Sequence, residues 1–334
     1  VRQYFRALAR ISESRAVFGR WSLPRGRRPR LLLESWRRDA PQSHHVRPAD
    51  VRTVRILAAL MSLVPLPAFA QGAPLWRTVD ISRQLRDTQP QRVRVQYGAG
   101  RVDVRGTSDP LLYAMHLRYD ENRSTPLHKH DADQRSTSLG LESLGNGIHN
   151  ASTSGESGEL RLTLPRTVSL DLDLEFGGTQ SVLDMGDMSL RSLRLECGAT
   201  DAMLLFSRPN RVRMRELEVN VGAADFTARQ LANANADQIR VRGGVGSVDL
   251  DFSGTWSHDL AVTTRLMMGK LTLRLPPDVG VRIEVQRIAA GFDHVGLEKR
   301  DDAWYSPNYD SATYKLKVRA ETFFGQVDVQ RAMR

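Results

Sequence analysis

The chain has 334 residues, 40% of them hydrophobic and 26% charged, with a single cysteine and a formal net charge of +10. All of that charge lies in residues 1–70, which hold fourteen arginines, no lysine and four acids; of the 48 basic and 38 acidic residues, 34 of each sign remain beyond them. A neutral folded part carries no field to steer polyanions, so nucleic acid is not an expected partner. Cys197 alone excludes an internal disulfide framework and a cysteine-based metal site.

Residues 1–50 show no sustained apolar period, and the run Arg25-Gly26-Arg27-Arg28-Pro29-Arg30 cannot bury itself. Residues 51–70 read in order as a basic stretch (Val51–Arg55), an apolar run (Ile56–Leu66) and the small-x-small triplet Ala68-Phe69-Ala70. That is the layout of a secretory signal peptide, and its apolar run is too short for a permanent membrane helix. Signal peptides stand at true N-termini, so residues 1–50 read as an untranslated or disordered Arg-rich extension. The mature product, 71–334, is expected to be periplasmic or secreted. It holds no second apolar span of membrane length, and no cysteine follows the cleavage point to accept a lipid.

Residues 71–150 read as an N-terminal β cap with hairpin-like strands at Leu111–Tyr119 and Ser136–Glu142. The Gly/Ser-rich stretch Gly145–Gly158 is the best linker or long-loop segment. Beyond it one motif returns: apolar-x-apolar-x-apolar-Gly. It reads Leu172 to Gly177, Leu193 to Gly198, Leu217 to Gly222 and Val241 to Gly246, with looser copies at Thr264–Gly269 and Ala320–Gly325 and a forerunner at Val93–Gly98. Each copy is an alternating strand closed by glycine, and a second alternating run follows it, as in Val248–Phe252. Only Asp187–Leu195 and Phe226–Asn233 read equally as helix or strand.

A unit of roughly 20–25 residues with short strands is one coil of a solenoid, because a single coil cannot bury its apolar row and stacked coils share a core. A β-sandwich repeats strand pairs of variable length instead. The expected fold is therefore all-β: a β-solenoid, a single-stranded β-helix-like stack, with capping strands at both ends. Residues 151–334 carry the repeats and the C-terminal cap, the latter with the aromatic run Trp304-Tyr305-Ser306-Pro307-Asn308-Tyr309.

These residues resemble the toast-rack and DUF4097-type adhesin domains, relatives of the C-terminal domain of the LiaF cell-wall-stress regulators. The resemblance rests on Tyr97-Gly98-Ala99-Gly100, Pro165 before Val168–Phe176, Gly198-Ala199, Val221-Gly222-Ala223, Gly243-Gly244-Val245-Gly246, Leu273–Pro276 and Phe324-Gly325-Gln326-Val327-Asp328-Val329. It covers about 74–330 and implies a stacked β architecture in an envelope setting, with no catalytic residue to carry over. LiaF-type proteins carry membrane helices ahead of this domain, where this chain carries a signal peptide.

The sharpest chemical feature is an Asp three residues after successive glycines: Asp201, Asp225 and Asp249, with Asp103 and Asp328 in the same phase. Their apolar neighbours turn them outward, and equivalent positions in adjacent coils lie about 4.8 Å apart. Aligned carboxylates at that spacing repel unless a cation such as Ca²⁺ sits between them, or unless arginines such as Arg229 neutralise a solvated face. The solvated face is the reading favoured; no cofactor is required. Gly243–Asp249 echoes the calcium β-roll repeat only once and with its Asp one residue late.

His128 and His130 with Asp131 and Asp133 have metal-ligand chemistry, but Pro126 and the polar residues around them suit a solvated hairpin better. Cys197 sits at an inward strand position and reads as a packing thiol. Trp304, Tyr305 and Tyr309 suit a capped solenoid end or a stacking surface. The expected function is a non-catalytic exported envelope module, adhesin-like or scaffold-like, whose partner is an envelope protein, a glycan or a second copy. The alternatives are a carbohydrate-active β-helix enzyme, with Asp225 and Asp249 as a carboxylate pair, and an envelope-stress regulatory component.

Overall fold

The computed structural model describes residues 74–144 and 157–331. The Arg-rich extension, the signal peptide and nearly all of the Gly/Ser-rich stretch lie outside them. The strands are β1 (Trp76–Gln84), β2 (Gln91–Thr107), β3 (Leu111–Asp120), β4 (Ser124–Asp131), β5 (Ser136–Ser143), β6 (Glu159–Pro165), β7 (Ser169–Asp184) and β8 (Ser189–Leu205), followed by β9 (Met214–Arg229), β10 (Ala236–Asp251), β11 (Leu260–Leu275), β12 (Gly280–Asp293), β13 (Glu298–Arg300), β14 (Ala303–Tyr305) and β15 (Lys315–Arg331). They form one open sheet in the order β1-β3-β6-β2-β7-β8-β9-β10-β11-β15-β12-β14-β13, with β5 joined to β2 and β4 to β5. The run from β2 to β12 is parallel throughout. Among the described residues no helix is long and apolar enough to cross a membrane.

Each coil is one long strand bent in the middle. In β9 the alternating buried apolar residues include Leu217, Val219 and Val221 before the bend, then Ala224, Phe226 and Ala228 after it. The parity changes at Gly222-Ala223, so a single strand supplies inward side chains to two arms that enclose one core. The columns are continuous: Val93, Leu172, Leu193, Leu217, Ile239, Val262, Val318 and Ile283 stack in register and are all buried. At about 1.5–3 kcal/mol per fully buried aliphatic side chain, such columns hold the stack together.

Glycine at the bend serves two distinct needs. A Cβ on Gly222 would lie 2.7 Å from the carbonyl oxygen of Gly198 in the strand beneath, and Gly98, Gly177, Gly198, Gly222 and Gly244 form this column. Gly269 instead has φ +135° and would place its Cβ 1.8 Å from the Gly246 carbonyl; Gly246, Gly269 and Gly325 form this second column. A side-chain-bearing residue is strained there even with space available.

The register corrects the repeat alignment. Leu217, Val219 and Val221 pair with Ile239, Val241 and Gly243, so the fourth coil's counterpart of Gly222 is Gly244 and not Gly246. The copies at Thr264–Gly269 and Ala320–Gly325 are likewise displaced by two: Val262 pairs with Ile239, and Val318 pairs with Val262. Because strand side chains have period two, a two-residue slip leaves the first two apolar positions of each displaced copy on their expected face. It carries the third (Val245, Met268 and Phe324) past the bend, where the parity changes and these residues turn outward.

The ends differ from expectation too. β2, inside the expected cap 71–150, is the first coil: its first arm is continued by β5 and its second by β6. At the other end β12 is a further coil, and the final strand β15 inserts between β11 and β12 instead of pairing as a terminal cap. Asp187–Leu195 is strand over most of its length, and after Arg229 only Leu231–Ala234 makes a short 3-10 turn.

Candidate functional site

The outward side of the second arm carries the acidic residues singled out from the repeat. Asp201 and Asp225 are cross-strand partners, as expected. Asp225, however, lies opposite Ser247, and Asp249 lies opposite Thr227 and Thr272. The third carboxylate therefore belongs to the neighbouring column, where Asp328 faces Thr272 and Asp293 faces Asp328. Asp103 is in that column as well, opposite Val182. The reason is the two-residue slip: counting from Gly246 instead of Gly244 moves the third Asp one column along the strand.

Asp225, Asp249 and Asp328 have protein partners. The Ser247 hydroxyl donates to Asp225 at 2.5 Å. Arg274 grips Asp249 through Nε and Nη2 at 2.9 and 2.7 Å, and that pairing raises the arginine's own pKa. Lys270 lies 2.6 Å from Asp328, whose carboxyl is held below the usual range chiefly by that contact. Asp225 and Asp249 thus do not converge on one cleft with a shared cation, as a glycosidic carboxylate pair requires.

The first arm presents a charge lattice. Arg94, Asp173, Arg194, Glu218 and Arg240 occupy one column, each opposite the next. Diagonal pairs knit it to its neighbours: Arg94 to Glu175, Arg240 to Glu216 and Arg242 to Glu218 at 2.7 Å. Arg265–Glu321 at 2.7 Å and Arg319–Glu284 at 3.0 Å pair directly across neighbouring strands. Burial, then the nearby Glu175, pushes the Asp173 carboxyl up, whereas hydrogen bonding to Arg319 holds Glu284 down. Isolated surface pairs contribute about 0–1 kcal/mol each. Their collective effect here is cancellation, leaving a flat face with no net field to attract a charged ligand.

At the bend the surface changes character along the stack. Ala99, Gly178, Ala199 and Ala223 lead the outward column, and then come Val245, Met268 and Phe324. These three are 55%, 50% and 49% exposed, and Met267 and Ile288 beside them are exposed as well. The result is an apolar ridge confined to β10, β11, β15 and β12. Paired charges border it along the strands: Arg242–Glu218, Arg265–Glu321 and Lys270–Asp328. Sequence reasoning missed the ridge because these residues were assigned to strand interiors or corners of displaced copies. The signal that would have revealed it is the doublets Met267-Met268 and Phe323-Phe324, which place two apolar residues in succession where alternation demands one.

The remaining sequence candidates are dispersed. His130 Nδ1 lies 3.0 Å from the Thr137 hydroxyl, and Asp131 accepts the turn amides of Asp133 and Gln134. Among the described residues no group of three or more His, Cys, Asp or Glu is arranged to hold a metal ion. Cys197 is fully buried between Phe176 and Val221 in its column, and burial pushes its thiol up to about 12. Trp304 stacks on His294 at 3.8 Å, meets Phe292 edge-on at 5.4 Å and packs against the core. Tyr305 and Tyr309 meet edge to face at 4.9 Å, with Arg300 over one ring and Lys315 over the other. The three rings do not form one stacking platform.

Comparison with known proteins gives a family match and several distant structures. No curated protein matches the sequence. A "putative cell adhesion protein" from Clostridium sporogenes is 14% identical, with a TM-score of 0.41 over 78% of this chain and 100% of its own. A "putative adhesin" from Bacteroides fragilis is 10% identical, with a TM-score of 0.39 over 76% of this chain and 97% of its own. A "putative lipid binding protein" from Parabacteroides distasonis is 9% identical, with a TM-score of 0.30 over 77% and 97%. The family model for the N-terminal domain of toast-rack proteins, DUF2154, matches residues 76–214, a span that begins with β1 and reaches the start of β9. Over that span the chain is similar to the N-terminal domain of toast-rack proteins, and the match covers its bent, stacked strands from β1 to β8.

Proposed function

We propose that this chain is an exported, non-catalytic module of the bacterial envelope that works as an adhesin-like binding scaffold, and that the apolar ridge at the bend is its contact surface for a protein partner. The observation that carries the reading is the ridge itself. Soluble proteins seldom leave Val245, Met267, Met268, Phe324 and Ile288 exposed together without a use for them. Its anatomy suits a protein partner: an apolar centre bordered by charges already paired within the chain, where a lipid-facing patch would show unpaired cations. The stack beneath is a rigid spacer, and the flat charge lattice of the first arm keeps the other large face soluble.

The test is photo-crosslinking in the native host with p-benzoylphenylalanine in place of Phe324, of Met268 or, as a control on the charge lattice, of Arg194. A discrete adduct at the two ridge positions, lost when Met267 is changed to Glu and missing at the control, supports the reading. Adducts at the control alone, or none at either ridge position, refute it.

A further inference from the structure

Among the described residues most arginines are in ion pairs, those of the charge lattice included. Three that are not stand together at the N-terminal end. The connection from β1 to β2 and the turn from β4 to β5 enclose a cleft of about 70 Å³ lined by Arg83, Arg86 and Arg135 with His130, Gln91 and Asp87. None of the three arginines makes an ion pair among the described residues; Arg135 Nη1 reaches only the Gln89 side-chain oxygen, at 3.5 Å. Asp87 is the one acid in the lining, and its carboxylate is occupied in accepting the Gln89 amide at 2.9 Å. Asp87 keeps its charge while accepting that amide, so the lining sets three guanidinium groups against one carboxylate and is net cationic.

A second observation points to a ligand. Gln91 lines the cleft and is 94% buried, since its relative exposure is 6%, and its side-chain oxygen has no hydrogen-bond partner. A buried acceptor without a donor costs about 1–3 kcal/mol, which a ligand hydroxyl would recover. His130 is held neutral-leaning by burial and by Arg83, and its Nδ1 is engaged with Thr137, so the opposite ring edge is the part left for the cleft.

We propose that this cleft binds an oxyanion, phosphate or carboxylate, carried next to a hydroxyl group on an acidic sugar or polyol unit. The three guanidinium groups supply planar, charge-assisted donors to the oxyanion, and the Gln91 amide takes the neighbouring hydroxyl. The site is remote from the ridge in sequence and independent of it in chemistry. An envelope module with both would hold a protein partner at one place and an acidic polymer at another.

The experiment is isothermal titration of the full chain with glycerol 1-phosphate, glucuronate and inorganic phosphate, each at one ionic strength set with sodium chloride. Saturable binding of glycerol 1-phosphate or glucuronate is expected, and which of the two binds more tightly identifies the oxyanion. Arg83→Gln/Arg86→Gln should weaken that binding by about tenfold or more, while Arg229→Gln, on β9, should not. If the double variant proves misfolded by circular dichroism, Arg135→Gln alone serves, and the same loss is expected. Gln91→Leu should weaken glycerol 1-phosphate more than inorganic phosphate. Heats indistinguishable from those of added chloride, or arginine variants that bind as the wild type does, would overturn the site. Equal losses for both phosphates in Gln91→Leu would overturn the hydroxyl contact.

Discussion

Two glycines that occupy the same place in the written motif should respond oppositely to alanine. Gly98 ends the copy in β2; its φ is ordinary, and an added Cβ meets nothing within 4 Å. Gly269 ends the copy in β11 with φ +135°, and an added Cβ would lie 1.8 Å from the Gly246 carbonyl oxygen and 2.8 Å from its carbon. At Gly98 alanine restricts the unfolded chain without a native-state penalty, worth about 0.4–1 kcal/mol of stabilisation. At Gly269 the backbone conformation alone costs about 1–3 kcal/mol. The clash is with backbone, so it is relieved only by separating β10 from β11 along a register that runs from Gln238 to Asp251. The expected total loss is at least about 3 kcal/mol, a large part of the 5–15 kcal/mol typical of a folded domain. Urea denaturation followed by far-ultraviolet circular dichroism reads both variants, with the slope compared to confirm that the unfolding unit is unchanged. Equal destabilisation by Gly98→Ala and Gly269→Ala would refute the claim that the bend uses glycine for two separate reasons.

The charge lattice predicts that Arg240→Glu, which sets a third carboxylate beside Glu216 and Glu218, lowers stability by about 1–2 kcal/mol. Because the loss is electrostatic, it should shrink when the melt is repeated in 0.5 M salt, which shortens screening to roughly 4 Å. Acid should weaken the fold in a defined direction. Glu284, Asp328 and Asp187 are held low by hydrogen bonds to Arg319, Lys270 and Arg211, so their contribution is complete above their ordinary carboxylate range and is lost as pH falls through the depressed folded values. Glu284→Gln combined with Asp328→Asn should flatten that acid limb in a series of melts from pH 6 downward; an unchanged limb would contradict the assignment. Cys197 should ignore a thiol reagent at pH 8 in the native state and react fully in guanidinium, since burial pushes its thiol up to about 12. Millimolar calcium should leave the melting temperature unmoved, because Asp249 is bound by Arg274 in the neighbouring column and, of the three expected ladder residues, Asp201 and Asp225 alone face each other. A stabilising shift that vanishes in Asp201→Asn/Asp225→Asn would establish a cation site there.

Alternation and glycine spacing were enough to read strands, inward and outward faces and a stacked architecture directly from the residues. Leu172, Leu193 and Leu217 point inward in the structure as their period requires, and Cys197 is buried where its position in the motif puts it. The neutrality of the folded part was equally legible, because formal charge needs no coordinates. What stayed hidden were the relations between coils. The slip that separates Asp249 from Asp225 is invisible to a period-two pattern, and it decides which carboxylates meet. The insertion of β15 between β11 and β12 is invisible for a related reason: Val318, Ala320, Val327 and Val329 satisfy the same inward columns in either order. The ridge at Val245, Met268 and Phe324 and the cleft of Arg83, Arg86 and Arg135 bring together residues far apart along the chain, through strand register in one case and two facing turns in the other. Local sequence sets the face a side chain occupies because strand geometry is local. Neighbours across the sheet are set by register and strand order, which depend on how all the coils pack at once, and only the tertiary structure decides them.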